Sequence, residues 1–177
     1  MHLRRALPAY APSARVLRDR HTTLVAASAA GVWSEVERIG GATGWHIPSV
    51  VWEVRGVVDR ALGGPGHTRW RGSEPLAPGV RVDSWVVEGL AHTRTSEEVV
   101  LRSLMKLPGT ALLLIGVEDG PRPDTSWLKY TVLFTPSGLL GVIYWAVSWP
   151  AHVLVFWAMH QGLARAAERC HREGGMR

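Results

Sequence analysis

The stretch from Tyr130 to Ala164 holds thirty-five residues and not one Asp, Glu, Lys or Arg, and it limits what this chain can fold into more than any other part. A charge-free run of that length has two destinations. It crosses a bilayer, whose hydrocarbon core takes about 20 apolar residues in one helix, or it supplies a strand and a long apolar helix that close the hydrophobic interior of a folded domain. Gly138 to Met159 is long enough for the first. Three features favour the second. Pro150 divides the run, and Thr131, Thr135 and Ser137 stand at its front. His152, His160 and Gln161 recur at helical spacing beyond the proline, where a polar side chain in lipid is costly. The exit, ARAAERCHRE, is an ordinary amphipathic helix end. The expectation is no membrane span and a C-terminal helix buried against the rest of the chain.

At 177 residues the chain suits one domain with a sizeable core, and 46% hydrophobic against 20% charged residues excludes a disordered chain. Nine Trp point to a wide core or a lined pocket. Net charge is +5, but every basic residue except Lys106 and Lys129 is Arg, scattered among acids with no run longer than two. That pattern is a solvated face and lacks the basic patch of a nucleic-acid binder. Cys170 stands alone, which excludes an intrachain disulfide and a Cys-based metal site. After MHLRR, two prolines interrupt ALPAYAPSA, so no secretory signal is expected and a reducing cytoplasm fits.

Pro8 and Pro12 make residues 1–14 a loose arm ahead of a single domain over 15–172, with a short tail over 173–177. ARVLRDRHTTLVAASA alternates like a first strand. Ser28 is placed to cap a helix with Val32, Val36 and Ile39 on one face, stopped by Gly40-Gly41. A second helix opens at Pro48 and carries Val51, Val54, Val58, Ala61 and Leu62 at period 3.6. After a turn-rich stretch the period becomes 2: VRVDSWVVEGLA, EEVVLRSLMKL, TALLLIGVED and SWLKYTVLFTP read as strands joined by short links, an antiparallel meander. The long apolar helix closes the order, kinked at Pro150. The expected class is α+β, with the curved sheet wrapped around the last helix and a pocket between them.

Gly40-Gly41-Ala42-Thr43-Gly44 resembles a dinucleotide-binding turn, but an amphipathic helix precedes it where a buried strand is required, so it reads as a helix-ending loop. No HExxH, GxSxG or phosphate-loop motif occurs. The eight His are scattered, and His152 and His160 lie two turns apart, so neither a metal nor a cofactor is expected. Asp83, with Trp85 and Val87 two and four residues on, would share their face of a strand. Such an Asp either faces solvent or lies inside a polar pocket, where it pairs with Arg55, Arg69 or Arg71 or serves as a general acid or base. Tyr144 and His152 sit eight residues apart, on one face of a helix, where His152 is either a hydrogen-bonded core residue or a proton carrier.

Trp52, Arg55, Asp59, Gly63-Gly64-Pro65-Gly66, Arg71, Gly79, Asp83 and Trp85 form a pattern with Met105-Lys106-Leu107-Pro108-Gly109. It continues in Phe134-Thr135-Pro136-Ser137-Gly138-Leu139-Leu140-Gly141, Tyr144-Trp145, Pro150-Ala151-His152, Phe156 and Met159. Over residues 20–170 it resembles a bacterial domain of unknown function usually fused behind an NAD(P)-binding short-chain dehydrogenase-like domain. That resemblance implies a START-like helix-grip fold of the polyketide cyclase superfamily (SRPBCC), here without the dehydrogenase-like part. The family pattern carries an acid before the Met of MKLPG, another just past the Pro-Gly, and an Arg in the GLLG stretch. Leu104, Leu114 and Val142 stand there. If those positions line the cavity, it favours a more apolar guest.

The implied function is binding of a hydrophobic, polyketide-like small molecule and a cofactor-free cyclisation or related rearrangement in natural-product biosynthesis. Holding a flexible chain in a reactive shape can supply up to ~7–11 kcal/mol of the barrier. Asp83, Tyr144 and His152 are the candidate catalytic groups. Trp52, Arg55, Arg71, Trp85, Leu104, Met105, Leu114, Trp145 and Phe156 are the candidate substrate-binding residues, the arginines orienting a carboxylate or enolate. A non-catalytic carrier or sensor of a hydrophobic metabolite would use the same pocket. No nucleic acid is expected as a partner, and a homodimer stays open.

Overall fold

The computed structural model describes residues 16–41, 44–61, 63 and 74–174. Alternating residues build β1 (Leu17–Val25). Ser28 then caps α1 (Ala29–Glu37), its side-chain oxygen accepting from the Gly31 N–H at 3.3 Å, and Val32, Trp33 and Val36 turn inward. The chain reverses at Gly40, where φ is 70°, and enters α2 (Ser49–Ala61). Because α1 precedes the glycine loop, that loop ends a helix and does not open one at a strand.

Five strands follow: β2 (Arg81–Val82), β3 (Trp85–His92), β4 (Ser96–Ser103), β5 (Gly109–Asp119) and β6 (Ser126–Pro136). The last element is α3 (Gly138–Gly174). The sheet has six antiparallel strands in the order β1-β6-β5-β4-β3-β2, so the meander is extended at one edge by β1, which pairs with β6. The helix α3 packs on β6 and β1 and against α1. The inner face carries the main core, in which Val87, Leu101, Leu113, Ile115, Val132 and Phe134 are buried. The architecture is the expected α+β helix grip.

Three expectations change. VRVDSWVVEGLA is not one strand: it folds back at Asp83-Ser84, with Val82 opposite Trp85, and Asp83 takes φ 56° to make the turn. Asp shows that left-handed conformation more readily than most residues. The strand EEVVLRSLMKL ends at Ser103, and Leu104–Leu107 run on outside the sheet.

The burial of α3 is the third change. One line along it is covered, through Gly141, Trp145, Phe156, Met159, Leu163 and Ala167. On the opposite line Leu139 is 74% and Val147 77% exposed. In its most apolar window only 17% is buried, and by length and composition α3 suffices to cross a membrane. The charge-free run fills the core with one side only, because a helix presents just one stripe to a sheet.

Candidate functional site

Register places a single row of inward side chains across the sheet. Trp85 on β3 lies opposite Ser103 on β4, and Ala111 on β5 lies opposite Phe134 on β6. Ser103 follows the Arg102–Leu112 pair by one residue, which brings it beside Ala111. The row therefore reads Trp, Ser, Ala, Phe, with two small side chains between two aromatic ones. The neighbouring row, Val87, Leu101, Leu113 and Val132, is aliphatic throughout. The inner face therefore carries its smallest side chains at Ser103 and Ala111, between the large rings of Trp85 and Phe134.

The helix α3 supplies the wall above Phe134. Trp145 stacks on the Phe134 ring at 5.4 Å and 8°, and Tyr144 lies against it at 5.7 Å. His152 stands among three rings, 6.4 Å from Tyr144, 5.8 Å from Trp145 and 5.6 Å from Phe156. Tyr144, Trp145, His152 and Phe156 thus meet, as the spacing along one helix face implies.

The opposite wall holds the charge. Asp83 is 5% exposed; it accepts from the Trp45 indole N–H at 3.4 Å and from the Ser84 hydroxyl at 3.2 Å. Trp45 and Trp85 lie 6.4 Å apart beside it. A buried carboxylate is costly unless hydrogen-bonded, so its retention in an aromatic setting marks a candidate functional group. The Trp85 indole N–H is buried and finds no partner among the described residues. An unspent donor in an apolar interior is uncommon and suits the oxygen of a guest molecule.

The remaining candidates divide. Met105 is half-buried against the core, its N–H donating to the Ser103 hydroxyl at 3.2 Å. Leu104 is half-buried, tied by its N–H to the Ser84 carbonyl at 2.8 Å. Leu114 is a correction. Leu113 and Ile115 face the core, so Leu114 must face away, and it packs with Val100, Leu112 and Leu133 on the other side of the sheet. Val142 lies off the buried line of α3, 41% exposed. Two of the three lost charges therefore do not face the interior. The Trp52 and Arg55 side chains on α2, and Arg69 and Arg71, lie outside the described residues.

One cluster escaped the sequence reading. Asp19 and His21 alternate on β1 with Leu17 and Thr23, so they face α3. The His21 ring nitrogen Nε2 lies 3.0 Å from the Asp19 carboxylate. The rings of His21 and Tyr130 lie 6.1 and 5.4 Å from that of His160, whose Nε2 meets the Leu128 carbonyl at 3.1 Å. The proton sits on that nitrogen, because a carbonyl only accepts. Burial holds His160 below the usual imidazole range and raises the Tyr130 phenol. Parity along LRDRHTTLV was the available signal, but it needed the knowledge of which face of β1 is covered. Among the described residues no His, Cys, Asp and Glu group is arranged to hold a metal ion.

Solved structures share this architecture at low identity. A hypothetical protein from Helicobacter pylori superimposes with a TM-score of 0.53 at 11% identity, covering 90% of this chain and 92% of that one. Norcoclaurine synthase from Thalictrum flavum superimposes with a TM-score of 0.50 at 14% identity, covering 87% of each chain. At such identities the likeness shows the fold, a START-like helix grip. No curated protein matches the sequence. A family model matches residues 12–159, so the chain belongs to the family described as a protein of unknown function, DUF2867.

Proposed function

We propose that the inner face at Ser103 and Ala111, between Trp85 and the Phe134–Trp145 stack, receives a hydrophobic, polyketide-like small molecule. On this reading the protein catalyses a cofactor-free cyclisation or related rearrangement of it. The observation that carries the proposal is that row: small side chains at the centre, aromatic ones at both ends, and polar groups converging from two sides. Asp83 would take a proton from the guest, Tyr144 or His152 would return one, and the Trp85 N–H would hold a carbonyl oxygen. Aromatic walls constrain a flexible chain, and a few polar groups direct it. One protein of the same fold, norcoclaurine synthase, is named as an enzyme, which is compatible with a catalytic reading and carries no residue across.

Filling the floor tests the binding half. Ala111→Leu should weaken uptake of a fluorescent anilinonaphthalene probe by about tenfold or more, ~1.4 kcal/mol, while the protein remains folded by circular dichroism. Unchanged probe affinity would place the guest elsewhere. The chemical half is tested by mass spectrometry of candidate poly-β-keto substrates after incubation. Asp83→Asn should lower turnover by about 10²-fold or more, the scale of acid–base catalysis, and so should whichever of Tyr144→Phe and His152→Ala removes the group that returns the proton. A guest recovered chemically unaltered from the native protein would favour a carrier or sensor, which the same walls would serve.

A further inference from the structure

We propose that the outward ridge of α3 pairs with the same ridge on a second copy of this chain, the two helices running antiparallel. Leu140 is 73% exposed, Ile143 49%, Val147 77%, Leu154 63% and Trp157 47%, and Pro150 is also exposed on that line. Positions 140, 143, 147, 150, 154 and 157 advance by alternating steps of three and four, the spacing of a helix–helix seam. Leu139, Val142 and Trp149 flank it. The ridge runs about 25 Å at 1.5 Å per residue. Five large apolar side chains on one line, Leu140, Ile143, Val147, Leu154 and Trp157, are each about half or more exposed, a contiguous apolar patch of the kind that marks an interaction site.

The ridge is complementary to itself. About a two-fold axis between Ser148 and Trp149, Leu140 meets the partner's Trp157, Ile143 the partner's Leu154, and Val147 the partner's Pro150. The bulkiest side chain faces an unbranched-stem Leu at each end, and the proline, which leaves a backbone carbonyl short of its donor, lies beside the compact Val at the centre. Beyond Trp157 the same steps reach Gln161, Ala164, Glu168 and His171, and the exposed Arg165, Arg169 and Arg172 stand one residue past that line. Antiparallel pairing sends the two arginine ends to opposite extremes of the assembly, whereas a parallel pair would set them side by side. A lipid surface fits less well. An in-plane helix at an anionic bilayer carries basic residues along its long edges, and here the whole stretch between Lys129 and Arg165 has none.

Light scattering behind size-exclusion chromatography tests the pairing on the full chain. The wild type should elute at twice the mass of one chain. Ile143→Lys and Leu154→Glu should each weaken dimerisation by at least about tenfold, since either charge would be buried without a partner. Both positions are exposed in the single chain, so circular dichroism should be unchanged. Combining the two substitutions should restore the dimer, because antiparallel register sets position 143 against the partner's 154. Single-chain mass for the wild type at every concentration would overturn the proposal. So would a dimer indifferent to either charge, or a double variant that stays monomeric. Flotation of the monomeric wild type with phosphatidylglycerol-containing vesicles would overturn it too, assigning the ridge to lipid.

Discussion

Phe134 connects the two halves of the candidate site. It is 1% exposed, closes the cross-sheet row that begins at Trp85, and carries Trp145 stacked on its face. Removing it opens a cavity and releases the α3 wall together. Phe134→Ala should cost about 3–5 kcal/mol in urea unfolding and abolish probe binding, whereas Phe134→Tyr should keep the stack. Asp83 shows how far a residue can be read in advance. VRVDSW left it either solvent-facing or inside a polar pocket, and neither its burial beside Trp45 nor its conformation was legible there. Period 2 ran through the segment unbroken, and a two-residue reversal leaves no trace in alternation when both strands continue the same pattern. Leu114 failed for a related reason. A family position says where a side chain lies along the chain, and parity says which side of the sheet it faces; here the two disagreed and parity held.

Among the elements, the start of α3 and the β4–β5 link explain why MKLPG and the GLLG stretch belong together. The Ser137 N–H donates to the Pro108 carbonyl at 2.9 Å, and a Cβ on Gly141 would lie 2.4 Å from that same oxygen. Glycine is required there because backbone, which cannot swing aside, occupies the space. Gly141→Ala should lift the first turn of α3 from the link and cost about 1–3 kcal/mol despite alanine's better helix propensity, read as a lower unfolding midpoint. A similar approach occurs where α3 passes the loop after α1: a Cβ on Gly162 would meet the His46 carbonyl at 2.2 Å. Neither requirement can be read from helix periodicity, since each depends on a segment far away in the chain.

At the scale of the whole molecule, two buried histidines contribute to the response to acid. Burial lowers both His46, which also has Glu35 3.9 Å away, and His160, against the Leu128 carbonyl. Their folded values lie below the unfolded one, so the unfolded chain binds protons first. The stability they contribute is complete above about pH 6.5 and is lost as pH falls through their lower folded values. The melting temperature should decline from pH 7 toward pH 5. His160→Gln, which preserves a donor to Leu128, should flatten that decline; an unaltered slope would assign it to other groups. The succession of a strand, two helices, an antiparallel meander and a long helix, the Ser28 cap and the meeting of Tyr144 with His152 all follow from local periodicity, which is a property of neighbouring residues. The pairing of β1 with β6, the small-residue floor at Ser103 and Ala111, and the bare outer side of α3 came from elsewhere. They depend on how distant strands align and on how much of a helix one sheet can cover, and those quantities exist only once the chain has closed on itself.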